Sequence, residues 1–126
     1  MESGDNPFGK LIGLRLSQWG DGVCTCHLTV TQEHLNPNGV VHGAVIYALA
    51  DTGMGGALFS SLQEGQRCAT IEIKISYYRP VRSGELTGKA HVVRLGKRIA
   101  FMAAEVSNDG TLIAQATGTF TISSPK

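Results

Sequence analysis

Little in this chain is in excess. Its 126 residues carry a formal net charge of only +1, which gives no ground for nucleic acid or an acidic membrane surface as the main partner. Charged residues make up 17% and apolar residues 42%, too apolar for a disordered segment and ordinary for a folded globular domain. The opening MESGDNPFGK has no positive region followed by an apolar stretch, so no signal peptide is read there. The longest apolar run, Val40 to Leu62, is broken by Asp51 and four glycines and does not read as a membrane span. Cysteine is scarce: Cys24, Cys26 and Cys68 are odd in number and form no repeated CxxC, which argues against a disulfide framework or a zinc site. A reduced, cytoplasmic setting is the expectation. Repeats, linkers and low-complexity stretches are absent, so residues 1–126 are expected to form one domain.

What is present is mostly strand pattern. Lys10 to Trp19 and Val23 to Val30 both alternate, and Gly20-Asp21-Gly22 between them predicts a hairpin. Cys24 and Cys26, two apart, are expected on one strand face as small packing residues. A polar loop follows, with Asn36-Pro37-Asn38-Gly39 as its turn. Val41 to Ser61 is the one helical candidate, apolar on nearly all sides and so expected to be covered. Cys68 to Tyr78, Glu85 to Leu95, Arg98 to Ser107 and Thr111 to Ile122 then read as strands, with Asn108-Asp109-Gly110 as a hairpin turn. Two strands, one long helix and four strands predict an α+β arrangement, one helix on one face of a largely antiparallel sheet.

The chemistry concentrates in Asn36 to Asp51, NPNGVVHGAVIYALAD. His42-Gly43 falls at the expected helix start, where N–H groups lack partners and the dipole is positive. An oxygen gaining negative charge would be stabilised there by the Gly43 N–H. Asp51 falls in the helix interior, where a lone carboxylate is costly unless paired or used. It is either a catalytic group or a structural one, paired with an arginine or capping a neighbouring element. His42 and Asp51 are nine residues apart, about 900° of helical rotation and ~13.5 Å of rise. On that reckoning they face opposite sides of the helix, and a site using both must combine two antiparallel copies. His27, His34 and His91 are read as structural or surface residues, His34 being the one inside the site loop. Tyr47 is expected to line either a ligand pocket or a dimer seam.

Asn36-x-x-Gly39-x-x-His42-Gly43 followed by Leu49-x-Asp51 resembles the signature of the phenylacetate-pathway (PaaI-like) branch of the hotdog thioesterases. The element order fits from about Lys10 to Ile122. Ala44 stands where that family usually has a second glycine. The resemblance implies a hotdog fold, an antiparallel sheet wrapped around one long central helix, and hydrolysis of an acyl-CoA, aryl or medium-chain, to free acid and CoA. It implies Asp51 as general base or nucleophile and Gly43 as the N–H that polarises the thioester carbonyl. It implies Asn36 as a group orienting carbonyl or water, and His42 near the sulfur. Thr70 matches a hydroxyl that positions the water. Asp51 and Thr70 would come from one subunit, and Asn36, His42 and Gly43 from the other. The assembly implied is a homodimer with shared sites, two dimers forming a homotetramer.

For the CoA phosphates the candidates are Arg79 and Arg82, flanking Pro80, and Arg94, Lys97 and Arg98 around Gly96. Such a cluster is also the ordinary composition of a solvated hairpin end. No metal or redox cofactor is implied. A hotdog hydratase or dehydratase and a non-enzymatic acyl-CoA-binding module remain alternatives.

Overall fold

The computed structural model describes residues 6–125. A short helix α1 (Pro7–Ile12) is followed by strands β1 (Arg15–Gly20) and β2 (Val23–Thr29), a 3-10 turn (Gln32–His34) and the long helix α2 (Gly43–Phe59). Strands β3 (Arg67–Tyr77), β4 (Glu85–Leu95), β5 (Ile99–Asn108) and β6 (Thr111–Ser123) complete the chain. The six strands form one antiparallel sheet in the order β1-β2-β4-β5-β6-β3. Helix α2 packs across one face of it and touches every strand. This is the arrangement predicted from the strand and helix patterns.

One prediction fails at the start. Lys10 to Trp19 does not form a single strand; its first residues belong to α1. The cause is local: Asn6 Oδ1 accepts the Gly9 N–H at 3.0 Å as an N-cap, and Pro7 supplies the first helical φ. Gly13, left-handed at φ 86°, ends the helix. The long helix is also shorter than Val41 to Ser61, because Val41 pairs with Leu35 in a β-bridge and His42 is the N-cap.

Both hairpin turns follow the sequence. Asp21-Gly22 and Asp109-Gly110 have positive φ at both positions, the backbone of a tight two-residue loop between twisted strands. The core lies between α2 and the sheet, with Leu49, Met54 and Leu58 set against Leu28, Leu86, Met102 and Phe120. Each such side chain contributes about 1.5–3 kcal/mol by leaving water. Close approach depends on small residues. A Cβ on Gly53 would lie 3.3 Å from Ala90 Cβ, and one on Gly56 would lie 3.0 Å from Cys24 Sγ. Cys24 and Cys26 are buried on the helix-facing side, their sulfurs 4.0 Å apart. The hydrogen bond to Cys24 and burial both push the Cys26 thiol up, so it stays protonated.

Candidate active site

Asp51 lies half-buried in the middle of α2. Its Oδ1 accepts a hydrogen bond from the Thr70 hydroxyl at 3.0 Å. Among the described residues it has no cationic partner, so the ion-pair reading of this carboxylate is not supported. Thr70 spends its proton on Asp51, which leaves its oxygen lone pairs as acceptors. Asp51 Oδ2 and Thr70 Oγ1 are therefore two adjacent acceptors, the pair that one water molecule with two protons can satisfy.

A β-bulge places Thr70. The β3–β6 register shifts between Thr70 and Glu72, so Ile71 is the extra residue. Before the bulge Cys68 and Thr70 pair with Ile122 and Phe120, which face the helix. After it Ile73, Ile75 and Tyr77 face the helix instead. Strict alternation would put Thr70 and Tyr77 on opposite faces. The exposure of Ile71, 54%, is the consequence.

At the start of α2, His42 Nδ1 accepts the Ala44 N–H at 2.9 Å, and His42 O accepts the Val45 N–H at 2.9 Å. The Gly43 N–H takes no acceptor among the described residues, so it is the donor left open. With Nδ1 used as an acceptor, the neutral His42 ring carries its proton on Nε2. His42 is exposed.

The Asn36 loop is tied to the same end. Leu35 bridges Val41, Asn36 N–H donates to Val40 O at 2.7 Å, and His42 N–H donates to His34 O at 2.9 Å. Asn36 Oδ1 accepts from Asn38 N–H at 2.9 Å. Its side-chain NH2 has no protein partner among the described residues, so Asn36 can act on a carbonyl or water only as a donor. His34 is buried and structural: Nδ1 accepts the Thr31 N–H at 2.8 Å, and Nε2 donates to Ile12 O at 2.7 Å. His27 bonds Ser17, Thr87 and Glu85, away from the carboxylate.

The half-turn offset expected between the helix start and Asp51 is not observed. His42 precedes the helix, with ψ 134°, so 100° per residue does not apply to it. Gly43 and Asp51 face the same strand: a Cβ on Gly43 would lie 3.2 Å from Tyr77 Oη, as Asp51 lies on Thr70. What separates them is axial distance, about 12 Å for eight residues of rise.

The structure brings together Asp51 with Thr70, and Asn36 with His42 and Gly43, as two half-sites. Arg79 lines a cleft of about 290 Å³ beside Val41, Gly43 and Tyr77, and Arg82 is exposed in the following loop. Arg94, Lys97 and Arg98 are exposed at the opposite end of α2, near Ser61 and Leu62. Gly96 has a structural reason to be glycine: its N–H bonds Ile99 O at 2.9 Å, and a Cβ would sit 2.5 Å from that oxygen.

One residue of this region was not singled out from the sequence. The Tyr77 hydroxyl donates to Gly43 O at 2.8 Å. Burial, and then nearby Tyr47, hold its ionisation above the ordinary value, so it remains a donor. In the sequence Tyr77 is one more aromatic in a strand, and only the bulge turns it to the helix.

The Thioesterase superfamily profile matches residues 38–114. Human acyl-coenzyme A thioesterase 13 is 31% identical over 112 residues, covering 86% of this chain and 79% of that protein. Conserved protein PA5202 from Pseudomonas aeruginosa superposes with TM-score 0.90 at 35% identity, covering 94% of both chains. A mutant of the phenylacetic acid degradation protein PaaI from Thermus thermophilus superposes with TM-score 0.86 at 28% identity, covering 92% of this chain and 98% of that one. The matched segment contains the helix start, the mid-helix carboxylate and the bulged strand, and this chain belongs to the thioesterase superfamily, with the hotdog fold.

Proposed function

We propose that this protein hydrolyses acyl-CoA thioesters to a free acid and CoA, at sites each assembled from two antiparallel copies of the chain. The observation that carries the reading is the Asp51–Thr70 pair, 3.0 Å apart and without a cation. Water donates one proton to Asp51 Oδ2 and the other to Thr70 Oγ1, and its oxygen attacks the thioester carbon. The proton passes to Asp51. The carbonyl oxygen gains charge against the Gly43 N–H, with the Asn36 side-chain NH2 as a second donor. The carbonyl then re-forms, the C–S bond breaks beside His42 Nε2–H, and the sulfur takes up the proton held by Asp51 to leave as CoA thiol.

The two-chain arrangement is supported by two features. About 12 Å of helix separates the half-sites, too far for one carbonyl to bridge. Strand β3 ends the sheet and pairs only with β6, leaving a row of unpaired backbone groups along its 11 residues. Antiparallel pairing of two such strands would bring the Tyr77 end of one copy toward the Thr70 end of the other. The same two-fold brings Arg79 and Arg82 of one chain to the end that carries Arg94, Lys97 and Arg98 of the other. Ends that are distant within a chain thus meet as one basic region suited to CoA phosphates. By resemblance, two dimers form a tetramer, in a cytoplasmic setting; among the described residues no helix is long and apolar enough to cross a membrane.

The test is thiol release from a panel of aryl and fatty acyl-CoA thioesters by wild type and Asp51→Asn. The variant is expected to lose about 10²–10⁴-fold in kcat. Wild-type turnover by Asp51→Asn would overturn the assignment.

A further inference from the structure

We propose that Tyr77 is a positioning residue for catalysis, holding the Gly43 backbone so that its open N–H meets the thioester carbonyl oxygen. The inference rests on the hydrolase reading and extends it to a side chain that reaches no reacting atom itself.

The need for such a residue comes from Gly43. The first turn of a helix is held weakly, because its N–H groups lack intrahelical partners. A glycine there has the widest backbone freedom of any residue. An oxyanion donor works only when its direction is fixed before charge develops. The peptide that carries the Gly43 N–H is already fixed at its other end, where His42 O accepts the Val45 N–H at 2.9 Å. Across the Gly43 Cα, the next peptide is held at its N–H by His42 Nδ1 at 2.9 Å and at its oxygen by the Tyr77 hydroxyl, which donates at 2.8 Å. Its ring also lies against the Gly43 Cα, where a Cβ would come within 3.2 Å of Oη and 3.3 Å of Cζ. Tyr77 therefore gives Gly43 one contact in place of a side chain and one hydrogen bond in place of conformational restraint. Its raised ionisation keeps the hydroxyl a donor throughout the neutral range.

The strand adds a second reason. Thr70 and Tyr77 both face the helix because Ile71 is bulged. Strand β3 thus holds the carboxylate at one point and the oxyanion donor at another, at a spacing set by the sheet. In the shared site one copy supplies Tyr77 and Gly43, and the other supplies Thr70 and Asp51.

The experiment compares wild type, Tyr77→Phe and Asp51→Asn in steady-state thiol release. Tyr77→Phe keeps the ring against Gly43 and removes only the hydroxyl. The expected result is a kcat lower by about 10-fold with KM within about twofold, because an interaction made only in the transition state is lost. A second measurement is the infrared stretch of the thioester carbonyl, bound to Asp51→Asn with and without Tyr77→Phe. The hydroxyl-less protein is expected to show a smaller red shift. Unchanged kcat, or an unchanged carbonyl band, overturns the positioning role. If Asp51→Asn turns over normally, the hydrolase reading itself fails, whatever Tyr77→Phe does.

Discussion

At the residue scale, the proposed chemistry rests on an acceptor pair and a donor. Thr70 donates to Asp51 at 3.0 Å, so removing its hydroxyl leaves the proposed base in place but unguided. Thr70→Val, which keeps the shape, is expected to lower kcat by about 10–100-fold, less than Asp51→Asn. Steady-state thiol release with matched melting curves checks it; a loss equal to that of Asp51→Asn would give Thr70 the primary role. Asp51 was legible in the sequence because a carboxylate inside an apolar helix stands out. Tyr77 was not, because nothing in its neighbours announces a hydrogen bond to a helix carbonyl 34 residues away.

At the element scale, α2 is a helix that packs closely because it is rich in glycine. Replacing a helical glycine by alanine stabilises by up to about 1 kcal/mol through propensity, while overpacking costs about 1–3 kcal/mol. At Gly56 the new Cβ would meet Cys24 Sγ at 3.0 Å, inside the core, so overpacking wins. At Gly55 the nearest atom is Phe120 Cε2 at 4.0 Å, ordinary contact, so propensity wins. Urea melts are expected to show Gly56→Ala destabilised and Gly55→Ala stabilised. A destabilised Gly55→Ala would mean that another surface presses on that side of the helix. The helix limits were readable to within two residues from the apolar run. The actual start depended on the Leu35–Val41 bridge, a pairing fixed by how the loop folds back.

At the scale of the whole molecule, Tyr77 and Cys68, together with the Cys26 thiol described above, tie stability to pH. Burial raises Tyr77 above its ordinary value of 10.0 and Cys68 above 9.0. A group whose folded value is raised favours the native state below its unfolded value, and that contribution disappears as pH climbs through the folded value. Unfolding free energy is therefore expected to fall from about pH 9 upward. Tyr77→Phe and Cys68→Ala should each flatten part of that fall in urea melts at stepped pH. The proposed sharing of sites between two chains makes a second prediction. Asp51→Asn and His42→Ala chains, refolded together, should form mixed dimers in which one site carries both changes and the other neither. Activity of roughly a quarter of wild type should return from two weakly active parents, by two-fold symmetry. No recovery would place each site within a single chain.

The sequence by itself determined the local grammar: period-two runs for the strands and one apolar run for the helix. It also determined the Asp21-Gly22 and Asp109-Gly110 turns, and the Asn36-to-Asp51 spacing that marks the family. These are set by backbone preference and nearest neighbours, so they can be read in order along the chain. Only the tertiary structure decided that Ile71 bulges, and with it that Thr70 and Tyr77 both turn toward α2. It alone showed that His42 precedes the helix, so that the half-turn counted between His42 and Asp51 does not apply and Gly43 and Asp51 face one strand. A bulge arises when pairing with β6 and packing under α2 demand different phases of the same strand. That conflict exists only once both partners are in place.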